Sequence, residues 1–108
     1  MEFKYINISS TGTTEQVLSA AVAASDDVYV VERLLICNTD TTAIKVNLWL
    51  DDGSGSAPYI LKGVEIPVGV TLDFLNGIPF NFKASHKLSL NLTDNAYTAD
   101  IICNIYKQ

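Results

Sequence analysis

Residues 34–51 read LLICNTDTTAIKVNLWLD, two apolar runs around a short polar turn. The second run alternates: Ile44, Val46, Leu48 and Leu50 face one way, and Lys45, Asn47, Trp49 and Asp51 the other. Only an extended chain with a side-chain period of two separates those sets onto opposite faces, so this is a half-buried β-strand. The run before it, 28–37 (VYVVERLLIC), is β-branched and aliphatic on both faces. That pattern predicts a central strand covered on both sides. The turn 38–42 then makes 28–37 and 43–51 partner strands of one hairpin, and Glu32-Arg33 marks a bulge or a charged pair. The only tryptophan, Trp49, falls on the polar side of its strand.

Similar signals run along the chain. Residues 3–8 (FKYINI) predict a short strand or arm, and Thr11–Thr14 a polar break. Residues 15–24 admit two readings. Thr13 and Gln16 fit a capping box and the alanines favour helix, but the β character of everything else tips the balance to a strand at 15–20. Residues 59–66 (YILKGVEI) predict a strand kinked at Gly63. Ile66-Pro67-Val68-Gly69 fits a type I turn with proline second and glycine fourth. Strand 70–75 follows with Val70, Leu72 and Phe74 inward. Asn76-Gly77 is the strongest hairpin signal of the chain, yet a two-residue turn there sets Phe80 and Phe82 on the face of Thr71 and Asp73. Either the turn is of another kind or that second face is apolar and covered. Residues 87–93 alternate, and 97–106 predict a central closing strand. The fold class expected is all-β: a single antiparallel sandwich of about eight strands, open to a jelly-roll arrangement. It occupies residues 1–108 as one domain, with 1–12 as a candidate N-terminal arm.

Chemistry is harder to find. His86 is the only histidine and sits in a polar turn without a nucleophile context, which predicts a solvated turn residue. Cys37 and Cys103 lie in apolar runs and read as buried thiols. One histidine and two strand cysteines make no metal set. The loop 51–58 (DDGSGSAP) lacks the alternating ligands and closing glutamate of a calcium loop. No catalytic, cofactor or metal residue is assigned, and no enzymatic activity is expected. The net charge of −5 with scattered cations disfavours nucleic acid. No run reaches membrane-span length. The start MEFKYINISS lacks a signal-peptide pattern, so the chain is expected to fold in a cytosol. Surface aromatics remain as interface candidates: Trp49, Phe3 and Tyr5, and, through the mismatch above, Phe80 and Phe82.

The segments LLICNTDTTAIKVNLWL, YILKGVEIPVGVTLDFL and KLSLNLTD resemble a pattern in small virion proteins of tailed bacteriophages. In those proteins an apolar strand ending in Cys-Asn leads through a Thr-rich turn to an alternating strand, and an Ile-Pro-x-Gly turn follows. The resemblance covers roughly residues 28–94. It implies a β-sandwich without catalytic residues, bound in many copies to the major capsid protein, to other virion proteins or to itself. Head decoration is the first expectation, and a neck or tail position its nearest variant. The implied localisation is the virion, assembled in a bacterial host cytoplasm. A carbohydrate-binding module built on Trp49 and a tyrosine is the second expectation.

Overall fold

A computed structural model describes residues 2–22, 26–54 and 57–108, without the side chain of Glu2. The expectations touching Ala23 and Ala24, Ser25, and Gly55 and Ser56 of the 51–58 loop lie outside the described residues. The described residues form an all-β fold with nine strands: β1 Glu2–Ile8, β2 Gln16–Ser19, β3 Val28–Asn38, β4 Ile44–Asp51, β5 Tyr59–Ile66, β6 Thr71–Asp73, β7 Phe80–Lys83, β8 Lys87–Leu92 and β9 Ala99–Lys107. The ambiguous segment is strand at 16–19.

Two antiparallel sheets hold these strands. The first runs β1-β9-β3-β6, with β7 also on β3, and the second runs β2-β8-β4-β5. Both β6 and β7 pair with the same strand: Thr71–Asp73 lie opposite Cys37–Leu35, and Phe80–Lys83 opposite Val31–Val28. They are two halves of one interrupted edge strand. Counted so, there are eight strands in two four-stranded sheets, and the order is that of a jelly roll.

The hairpin expected across 28–51 does not form. β3 belongs to the first sheet and β4 to the second, so the turn between them crosses the sandwich. Asn38 holds the crossing. Its buried side chain donates from Nδ2 to the carbonyls of Thr42 and Ile66, each at 2.9 Å, and its backbone N–H donates to Val70 O at 3.0 Å. One asparagine thereby ties the β3–β4 crossing to the β5–β6 crossing. The second crossing also shifts by one residue from its expected form. Val70 N–H bonds Pro67 O, and Gly69 takes the third turn position with φ 73°, where a type II turn requires a positive value.

The Asn76-Gly77 signal is right locally and wrong globally. Both residues have positive φ, 48° and 86°, and Ile78 N–H closes the turn on Leu75 O at 2.9 Å. No hairpin ladder extends from it. The turn instead forms an excursion between β6 and β7, level with the β3 bulge at Val31/Arg33. The face conflict therefore disappears. Phe82 is 7% exposed and Phe80 half-buried, both packed on the core with Tyr29 and Phe74. Val70, expected inward, is 42% exposed in the connection before β6, and Leu75 takes a buried position instead.

The core lies between the sheets. Ile8, Leu34, Ile36, Ile101 and Cys103 come from the first; Ile44, Val46, Leu48, Leu88, Leu90 and Leu92 come from the second. The alternation of 44–51 and 87–92 thus faces inward as the sequence requires. Gly12 sits against the last turn of the fold, its carbonyl accepting from Leu92 N–H at 2.7 Å. A Cβ there would run into the Asp94 carbonyl oxygen and press on Leu92. Gly12→Ala is expected to cost about 1–3 kcal/mol by forcing backbone apart, read as a drop in the urea midpoint.

Asp40 closes the β3–β4 crossing with its carboxylate. Partial burial pushes that carboxyl up, but the N–H groups of Thr42, Thr41 and Thr98 outweigh it and hold the group below its ordinary 3.8. A lowered folded value means this contribution is present above the unfolded value and disappears as pH falls through the folded one. The thermal midpoint is expected to decline below about pH 4, and Asp40→Asn to flatten part of that decline. Melts followed by circular dichroism across the acid range check it.

Candidate functional surface

Each sheet has an outer face, and their chemistry differs. On the second sheet the outer face is a polar ladder. Asn47 Nδ2 donates to Asn91 Oδ1 at 3.0 Å, and Asn47 Oδ1 accepts from Gly63 N–H at 2.8 Å. Gly63 has φ 61°, and with Lys62 it stands opposite Asn47 alone in a bulge. This is the kink expected at that glycine. Further along, Ser89 Oγ donates to Glu15 at 2.6 Å and Lys87 Nζ lies 3.1 Å from the same carboxylate. The Ser89 hydroxyl first, then Lys87, draw the Glu15 carboxyl below its ordinary 4.5. Side chains here satisfy one another.

Trp49 lies half-buried at the end of this ladder. Its ring meets Tyr59 edge-on, centroids 6.2 Å apart and planes 63° apart, and Lys62 Nζ stands 5.3 Å from the Tyr59 centroid. The two rings form no common flat platform.

The outer face of the first sheet is apolar at its centre. Register sets Tyr5, Ile102, Leu35 and Asp73 in one row across the sheet, with Asn7, Asp100, Cys37 and Thr71 in the next. Tyr5 is 73% exposed, Phe3 54% and Ile102 38%. A shallow depression of about 280 Å³ runs along β1 and β9 here. Asn7 Nδ2 donates to Asp100 Oδ1 at 2.7 Å across the two strands. Contiguous exposed apolar side chains rimmed by polar ones mark contact surfaces.

Of the five aromatic candidates, the structure brings Phe3 and Tyr5 together on this face, leaves Trp49 on the opposite side of the sandwich, and turns Phe80 and Phe82 inward. Sequence reasoning missed Ile102, and with it Leu35. Both look like core residues in strands that are apolar on both faces. The available signal was that double-sided pattern in 28–37 and 97–106: in a sandwich, one of those faces has to be an outer one.

Among the described residues, His86, Cys37 and Cys103 do not converge. His86 is half-buried, not solvated, and its Nδ1 is buried without a hydrogen-bond partner among the described residues. That nitrogen holds neither a nucleophile nor an orienting carboxylate. Cys103 is buried on the inner face opposite Leu34, whereas Cys37 is only half-buried on the outer face opposite Asp100. The sheet separates the two thiols. No protein-family model, curated protein or solved structure matches this chain.

Proposed function

We propose that this protein is a non-enzymatic virion structural protein of a tailed bacteriophage, most simply a head-decoration sandwich held in many copies on the capsid. The observation that carries the adhesive part of this reading is the exposed group of Phe3, Tyr5 and Ile102 on the outer face of the first sheet. Aromatic groups presented by strands supply contact area at small entropic cost. Repetition of modest contacts over a shell sums to tight attachment. The resemblance over roughly residues 28–94 supplies the partner class. Jelly rolls serve viral capsids and lectins alike, so the fold by itself does not choose between them. The edge-on rings of Trp49 and Tyr59 give a sugar no stacking platform, which ranks the carbohydrate reading second.

Mass spectrometry of density-banded particles, produced from the genome that carries this chain's gene, tests the proposal. The expected result is the chain in many copies per particle. Its absence from clean particles would overturn the virion reading.

A further inference from the structure

We infer that strand β1 is a self-pairing edge, on which a second copy of this chain adds its own β1 antiparallel, joining the first sheets of two sandwiches into one. The inference rests on the adhesive reading above and names a partner for it.

Every sheet edge offers unpaired N–H and C=O groups to a passing strand, and folded proteins blunt such edges with short strands, bulges and twists. Three of the four edges here are blunted. β2 has four residues and a register shift between Val17 and Ser19. β5 carries two register shifts against β4. The β6/β7 edge is two short pieces separated by the 74–79 excursion. β1 is different. It pairs with β9 through seven consecutive residues, Glu2 to Ile8, without a shift, and it stands at the end of its sheet. It contains no proline or glycine. Its cation, Lys4, reaches across to the second sheet, where Nζ donates to Val17 O at 3.1 Å.

The sequence of β1 suits a copy of itself. A two-fold axis through Tyr5 uses all seven residues: Glu2 meets Ile8, Phe3 meets Asn7, Lys4 meets Ile6 and Tyr5 meets Tyr5 of the second copy. No charge faces a like charge, and both apolar outer faces stay on the same side of the joined sheet. An axis through Lys4 would oppose two ammonium groups and pair fewer residues. Cross-strand aromatic pairs stabilise a sheet, and directly opposed like charges destabilise it. The exposed Tyr5 ring at the axis then packs against its twin, with Phe3 beside it. A closed two-fold contact of this kind uses the same patch on both copies.

Analytical ultracentrifugation of the purified chain across a concentration series tests this. The wild type is expected to reach twice the 11.8 kDa chain mass. Tyr5→Lys, which sets two cations against each other at the axis, is expected to weaken association at least tenfold, with Trp49→Ala unchanged. Tyr5→Glu repeats the test should Tyr5→Lys fail to fold by circular dichroism. A wild type that stays monomeric, a dimer indifferent to both Tyr5 variants, or a dimer lost in Trp49→Ala would each overturn the inference. A monomer would leave the virion reading standing, since banded particles test that separately, and would direct the β1 edge to a strand of another protein.

Discussion

Asn38→Ala is expected to lower the free energy of unfolding by about 1–3 kcal/mol, because the buried Ile66 carbonyl loses its donor and the Thr42 carbonyl loses a partly buried one. The asparagine is 3% exposed, and Ile66, whose carbonyl it serves, is 2% exposed. The Ile66 carbonyl cannot turn to water without opening the sandwich at the crossing. The same substitution frees Asp40 N–H, which donates to Asn38 Oδ1 at 2.7 Å. Asn38→Asp keeps that acceptor but replaces the amide donor with a second acceptor oxygen, so it is expected to destabilise at least as much near neutral pH. The backbone bond from Asn38 to Val70 survives in both variants. Urea unfolding measures the effect: a change below about 0.5 kcal/mol would mean the crossings hold without this side chain.

Leu48→Ala is expected to cost about 2–5 kcal/mol, the range for deleting a fully enclosed leucine and leaving a cavity. Leu48 is completely buried, paired in register with Leu61 of β5 and Leu90 of β8. It stands mid-sheet, where neighbours on both sides prevent collapse into the void. A domain of this size has only about 5–15 kcal/mol in all, so this one substitution approaches the limit of folding. Leu50, on the same face but only half-buried near the strand end, is expected to lose less than half as much when truncated. Paired thermal melts of the two variants test whether the apolar face of 44–51 is the packed one.

Much of the fold was legible because its signals are local. The alternation of 44–51 and 87–92 sets strand and face without reference to any partner. Glu32-Arg33 broke an apolar run where a bulge now lies, and Gly63 broke another where its backbone turns to positive φ. The partition into sheets was not legible. Residues 38–43 make a compact turn whether the next strand folds back or crosses over, and what decides is a bond from Asn38 to Ile66, far along the chain. Asn76-Gly77 shows the same limit: its backbone obeys the local preference, while β3 claims the strands on either side.

The surface was half legible for a related reason. Trp49 stands out by residue type, yet its face is a self-satisfied polar ladder. Phe3 and Tyr5 matter because β1 ends a sheet, and Ile102 because β9 lies next to it; neither fact is written in a strand's own sequence. A polar turn predicts a solvated His86, yet it is half-buried, because burial of a turn depends on what packs over it.

Copies of this chain are expected to associate through β1, at the edge of the first sheet and away from Trp49. Amide hydrogen exchange by mass spectrometry, compared between dilute and concentrated protein, tests it most directly. Exchange at residues 2–8 is expected to slow as concentration rises, while residues 44–51 exchange at an unchanged rate. Unchanged exchange in β1, or slowing confined to the Trp49 strand, would contradict it.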